Sequence, residues 1–541
     1  MTRYAQSFSK TATPQTERAD ARQVKNSAGG FTFEIGPWQR LDRWLILGAE
    51  GGSYYATERA LTRDNAGTIE ECLKLDGVQT VARIVEISEA GRAPKNDPAI
   101  FALALACAAD NQATRSAALA AVPRVCRTGT HLFQFAESVS AMRGWGRGLR
   151  SAIGRWYSGK TPEALCYQIA KYGQRGGWSH RDLLRLAHPE ATETHAPIYR
   201  YAIGADSGER KVSRNGCFRD YPGTAPVPAY LDAFDELKRA DEKRTIDLVR
   251  LHGFTHEMIA TEHKNSAAVW EALLERMPME AMVRNLAKMT AVGLLKPMSA
   301  AAGVVCGRLG DESRIQKARV HPIQMLSALK VYQQGRGERG SLSWSPVGQV
   351  VDALDAAFYH SFGAVEPSGK RTLVALDVSG SMSWSPIAGV PGLTPRIASA
   401  AMAMVTIRTE QLWHVTGFSD RMVEIPITPR QRIDDVVRTI ERVPMGRTDC
   451  ALPMLYAAGE SLEVDAFQVW TDNETWYGNV HPHQALRAYR NKSGIASTLA
   501  VVGCVANGFS IADPSDPLQL DVVGFDSATP NVLASFARGW Q

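Results

Sequence analysis

Between Glu366 and Lys370 the apolar pattern of this chain changes period, and that change constrains the fold more than any other feature. From Pro37 to about Ala356 apolar residues recur at helical spacing, as in TIEECLKL, DPAIFALALACAAD, PEALCYQIAKY, RDLLRLA, AVWEALLERM and PIQMLSALKVYQQ. Turns rich in Gly, Pro, Asn and Ser separate these runs. A short amphipathic helix can bury its apolar stripe only against neighbours, so the succession predicts paired helices stacked as an α-solenoid, although no strict period is present. Beyond EPSGK the runs TLVALDVS, LWHVTGF, AFQVWTD, STLAVVGCVA and DVVGF are apolar and β-branched, with helical stretches such as PRIASAAMAMVTIRT and RIDDVVRTIERV between them. That alternation predicts a mostly parallel sheet covered by helices. At 541 residues the chain also exceeds what one core serves, so two or more core-forming units are expected.

In an open α/β sheet the loops at the carboxyl ends of the strands converge, and three such loops here carry hard oxygen atoms. They are DVSGS (Asp377 to Ser381) directly after TLVAL, GRTD (Gly446 to Asp449), and TDNE (Thr471 to Glu474) directly after AFQVW. Hydroxyls and carboxylates without histidine or thiolate suit a hard cation, magnesium foremost, with calcium and manganese as alternatives. The competing reading of DVSGS is a tight turn whose serines cap the next helix. The three loops closely resemble the metal-ion-dependent adhesion site of von Willebrand factor A domains. The resemblance implies that Ser379, Ser381 and Thr448 contact the ion directly while Asp377 and Asp472 act mainly through water. It also leaves open a site kept only for stability.

Charge is unevenly spread. Residues 371–541 carry a net −4 and the residues before them +9, so the helical part suits a polyanionic partner, although such an excess also serves solubility. Two stretches concentrate it. In KYGQRGGWSHRDLLRLAHP, Lys171 and Arg175 stand four apart and so share a helical face; GGW then breaks the helix, and Ser179 with Asp182 caps the next. The second arm of this helix hairpin carries Arg181 and Arg185 and ends at His188 before Pro189. Five potential cations near Trp178 suit phosphates and a stacked base, against the plainer reading of a solvated helix face. Upstream, MRGWGRGLRSAIGRWYSGK sets Arg143, Arg147 and Arg150 among glycines and aromatics. There too the aromatics can be core and the arginines merely solvated.

Longer stretches are similar to the Ro autoantigen family: DVSGSM, GRTDCALPM and VWTDNETW in the second half, and in the first Asn26 to Ala56, Lys171 to Pro189 and MPMEAMVRNLAKM (Met277 to Met289). The resemblance implies a flexible arm over 1–25, a TROVE helical-repeat RNA-binding domain over 26–366, and a von Willebrand factor A-like domain over 367–541. It implies a monomeric ring of HEAT-like repeats closed by the Rossmann-like A domain. Such a ring would bind small noncoding Y RNA outside and single-stranded RNA ends in its central hole. It further implies a noncatalytic part in RNA quality control, maturation or decay with an exoribonuclease.

Two opposing classes stand beside this. Gly154 to Thr161, GRWYSGKT, satisfies the pattern of a phosphate-binding loop, but GLRSAI before it reads as helix and its bulky residues crowd the backbone amides. The other is a metal-dependent, protein-binding adhesion-type scaffold. The eight scattered cysteines lack a CxxC pair and read as reduced and buried. No stretch reaches about 18 uncharged apolar residues, and the first thirty residues contain no apolar core of signal-peptide length, so the expected place is the cytoplasm, with no membrane contact.

Overall fold

The computed structural model describes residues 12–48, 66–204, 226–337, 341–384, 386–387, 390 and 392–539. Part of the Asn26 to Ala56 stretch, from 49 onward, lies outside the described residues, as do residues 1–11 of the expected arm and Cys217. The chain forms two compact units: one built from 69–90 and 96–304, the other from 1–68, 91–95 and 305–541. The second unit therefore gathers the amino-terminal segment and the helices after Val304 with the six-stranded sheet described below, a partition unlike the linear one expected from the change of period.

The first unit is helical. Helix Asp97–Ala108 buries every residue from Pro98 to Cys107, because its sequence is apolar on all sides and it packs against both Gln112–Val125 and Gly129–Met142. Helix Gln112–Val125 packs on Arg147–Ser158, that helix on His180–Ala187, and His180–Ala187 on Ala196–Ile203, so sequence neighbours are packing neighbours as in a helical-repeat stack. Local chemistry sets the starts: Thr128, Thr161 and Ser266 each accept a backbone N–H of the first turn, and Pro162 opens its helix where a missing N–H costs nothing. No helix among the described residues is long and apolar enough to cross a membrane.

In the second unit a six-stranded sheet runs in the order Gln519–Val523, Thr498–Gly503, Ala466–Thr471, Thr372–Asp377, Trp413–Phe418, Met422–Glu424. Its first five strands are parallel and the short last one is an antiparallel edge. Strands Thr372–Asp377, Ala466–Thr471 and Thr498–Gly503 are buried throughout, as continuous apolar runs covered on both faces must be. Chain order reverses around Thr372–Asp377, which has the next strand on one side and a later one on the other, so the crevice of the sheet opens between the loops after Asp377 and Thr471.

A second, three-stranded antiparallel sheet joins Gln23–Lys25 and Phe31–Glu34 to Phe509–Ser510. Residues 12–25, expected as a flexible arm, are docked here: Gln15 is 0% and Gln23 2% exposed. The reason is tertiary, since the polar atoms of this segment find partners on loops far along the chain. Arg43, in helix Pro37–Leu47, is buried for the same reason and pairs with Asp521 at 2.6 Å while donating to the Phe509 carbonyl at 2.9 Å.

Candidate functional site: a basic segment and three oxygen-rich loops

Helix Pro162–Lys171 ends at Lys171. Arg175 follows not on that helix but in a two-residue strand, Gln174–Arg175, paired antiparallel with Trp178–Ser179. Gly176 and Gly177 turn the chain with φ of +56° and +79°, the pair of left-handed residues that a tight hairpin needs. The expected i, i+4 face is thus replaced by a helix, a β-hairpin and a helix. The expected cap is present: Ser179 Oγ accepts from the Asp182 N–H at 3.4 Å, and Asp182 accepts from the Ser179 N–H at 3.0 Å, starting helix His180–Ala187. His188 closes that helix in the left-handed region (φ 45°) and is exposed.

The structure separates the predicted cations by what they already hold. Lys171 is only 14% exposed in its side chain; its Nζ donates to the Tyr167 hydroxyl at 3.1 Å and lies 3.5 Å from Glu257 Oε1. Burial opposes its charge, but Tyr167 and Glu257 together outweigh that and raise its pKa above the ordinary value. Glu257 also meets His256 Nδ1 at 3.0 Å. Arg143 is exposed yet donates to the Cys107 carbonyl at 2.5 Å, closing a helix end. Arg185 is half-buried, with its Nε buried and lacking a hydrogen bond. Arg147, Arg150, Arg175 and Arg181 are exposed and make no ion pair among the described residues. Beside them Trp178 packs on Trp145, ring centroids 5.3 Å apart.

Trp156 and Tyr157 are core, not surface: Trp156 Nε1 donates to the Cys126 carbonyl and the Tyr157 hydroxyl meets His180 Nδ1 at 2.8 Å. Gly154 to Ser158 lies inside helix Arg147–Ser158 with no strand before it, and Thr161 caps the next helix, so GRWYSGKT is not a phosphate-binding loop.

In the other unit the three oxygen-rich loops converge. Asp377 (1% exposed) ends its strand, and its carboxylate accepts from the Ser379 N–H at 2.9 Å and from the Thr471 hydroxyl at 2.7 Å. The Ser379 and Ser381 hydroxyls lie 3.0 Å apart, and Ser379 makes no side-chain cap, which removes the helix-cap reading. Thr448 Oγ1 and Asp472 Oδ2 are both buried without a hydrogen-bond partner. Asp472 is 0% exposed, and its Oδ1 accepts from the Glu474 N–H at 3.1 Å. Burial, and then the neighbouring Asp472 carboxylate, push the Asp377 pKa up; burial does the same to Asp472. Two buried carboxyl groups that repel each other, one of them with an unsatisfied oxygen, together with the unsatisfied Thr448 hydroxyl and the Ser379–Ser381 hydroxyl pair, are the donor set a small hard cation fits. The described residues hold no cluster of three or more His, Cys, Asp or Glu, so hydroxyls make up much of this set.

Sequence reasoning missed two participants. Glu257 neutralises Lys171 from a distant helix junction, and Gln15 reaches the second loop: its Nε2 donates to Asp449 Oδ1 at 2.7 Å. No local signal marks either.

Comparison with known proteins agrees with both halves. Residues 371–537 match the family described as the Ro60 vWA domain, and residues 24–214 and 239–330 match the TROVE domain. The RNA-binding protein RO60 of Deinococcus radiodurans is 41% identical over 529 residues, spanning 97% of this chain and 97% of that protein. The RNA-binding protein RO60 of Caenorhabditis elegans is 36% identical, spanning 97% of this chain and 91% of that protein. The crystal structure of the Deinococcus radiodurans RO (RSR) protein matches with a TM-score of 0.69 at 38% identity, covering 94% of this chain and 100% of that one.

Proposed function

This chain belongs to the Ro60 family, and from that premise we propose that it is a noncatalytic RNA-binding scaffold whose helical unit holds a structured small RNA on the basic segment around Arg175 and Arg181. One observation carries the reading: Arg147, Arg150, Arg175 and Arg181 are exposed without ion pairs among the described residues, next to a Trp145–Trp178 pair. An unpaired arginine gives up no salt bridge on binding phosphate, and the counterions released supply the affinity. We assign Y RNA as the structured ligand, single-stranded RNA ends as a second ligand in the central hole of a monomeric ring, and an exoribonuclease as the pathway partner in RNA quality control. The cytoplasm is the proposed location. Salt-titrated binding of a structured small RNA tests this; affinity that is weak and independent of salt would reject it.

The A-type unit is proposed to hold one divalent cation, magnesium by preference, through Ser379, Ser381, Thr448, Asp377 and Asp472. The ion would neutralise the buried carboxylates and offer a coordination position to an acidic group. A second reading draws support here: the exposed hydrophobic residues Trp384 (67%), Met445 (60%) and Tyr477 (39%) follow or precede the three loops in sequence, as on a surface that receives a protein segment. Mutation of Asp377 with RNA binding retained and a protein partner lost would favour that adhesion-type role.

A further inference from the structure

The amino-terminal segment makes its most intimate contacts with the loops that carry Thr448 and Asp472. Gln15 is wholly buried and uses every polar atom: Nε2 donates to Asp449 Oδ1 and to the Val480 carbonyl, both at 2.7 Å, and Oε1 accepts from the Thr475 hydroxyl. Its backbone N–H donates to the Gly478 carbonyl at 2.9 Å, and its own carbonyl accepts from the Phe31 N–H at 2.8 Å. Asp449 is the neighbour of Thr448, and Thr475 lies three residues beyond Asp472. A second clamp follows: Asn26 Nδ2 donates to the Thr475 carbonyl at 2.7 Å, and the Ala28 N–H donates to Glu474 Oε2 at 3.0 Å.

Two glycines show how close this docking is. A Cβ on Gly30 would stand 2.0 Å from the Thr475 carbonyl oxygen and 2.9 Å from Trp476 Cα, backbone atoms that cannot swing aside. A Cβ on Gly478 would stand 2.4 Å from both Asp449 Oδ1 and Gln15 Nε2. The loops are also tied to each other directly: the Trp476 and Tyr477 N–H groups both donate to the Thr448 carbonyl at 3.1 Å, and the Cys450 N–H donates to the Thr475 hydroxyl at 3.0 Å. Gln15 spans that same joint from outside.

We propose that residues 12–34 are a strap that positions Thr448 and Asp472 for the cation, with Gln15 as the positioning residue; the proposal rests on the metal reading above. Thr448 Oγ1 has no hydrogen-bond partner, and Asp472 is held through Oδ1 by the Glu474 N–H of its own loop, so the places of both ligands follow from the course of these two loops. The strap grips the residues that flank both ligands, through the Asp449 and Glu474 side chains and the Thr475 and Gly478 carbonyls. Groups that orient metal ligands without touching the ion commonly contribute 10- to 100-fold in affinity. Neither matched domain includes Gln15, which precedes both.

The test uses the full chain and Mn²⁺, with free ion read by electron paramagnetic resonance and folding read by circular dichroism and by Tm without metal. Gln15→Ala and Gly30→Ala should each bind Mn²⁺ about 10-fold more weakly than wild type while retaining helical signal. Gln15→Glu, which removes the donor to Asp449, should weaken binding at least as much. Should Gly30→Ala fail to fold, Gln15→Ala carries the test alone. Mn²⁺ affinity within twofold of wild type in a folded Gln15→Ala, even with a lowered Tm, would make the strap purely structural and overturn the proposal. Absence of Mn²⁺ binding in wild type would instead remove the metal reading itself, and with it the strap's role.

Discussion

Replacing Arg175 and Arg181 together with Ala should flatten the salt dependence of RNA binding, whereas replacing Lys171 should not. Each phosphate neutralised contributes about 0.9 to the slope of log affinity against log salt, so two lost contacts lower the slope by about 1.8. Over a fourfold rise in salt, from 50 to 200 mM, the wild type should lose about 12-fold more affinity than the double variant. Lys171 differs because its ammonium is already satisfied: Tyr167 takes one hydrogen bond and Glu257 sits 3.5 Å away. Lys171→Ala should leave the slope nearly unchanged and lower thermal stability instead, since it strands Glu257. Filter binding of a structured small RNA at five salt concentrations provides the slopes, with single-stranded RNA as a comparison. If Lys171→Ala flattens the slope as much as Arg175→Ala does, the pair opens on binding and ranking these cations by their existing partners is wrong.

The same logic gives Glu257→Gln the opposite sign: it releases Lys171 and should steepen the salt slope by up to about 0.9, and an unchanged slope in that binding series would count against the argument. His180 is 3% exposed and burial pushes its pKa down to about 4. The unfolded chain, with a histidine pKa near 6.5, then binds the proton more tightly, so this contribution is complete above about pH 6.5 and is lost as pH falls toward 4. The loss amounts to about 3 kcal/mol, and denaturant unfolding of His180→Gln should show correspondingly less destabilisation between pH 7 and pH 4.5 than wild type. Magnesium at about 100 times its Kd should stabilise the protein by about 2.7 kcal/mol; Asp377→Ala should abolish that increment in a thermal melt without unfolding the chain, and equal stabilisation of both proteins would eliminate the site.

Features that depend on residues close in sequence were legible without coordinates. The change of period near Glu366, the parallel strands beyond it, the Ser179 and Asp182 cap, and the three oxygen-bearing loops all follow from spacing, propensity and the rule that loops converge at the carboxyl ends of parallel strands. One local signal was misjudged: Gly176 and Gly177 make a hairpin turn, so four-residue spacing across them carries no shared face. What spacing could not supply is pairing at long range. Lys171 is held by Glu257, and residues 12–25 of the expected flexible arm are docked because Gln15 meets Asp449, 434 positions away. Charge and amide side chains look alike along a chain whether they face water or a distant partner; only the fold, by choosing which groups lose their water together, decides which cations stay available for RNA and which polar residues hold the loops in place.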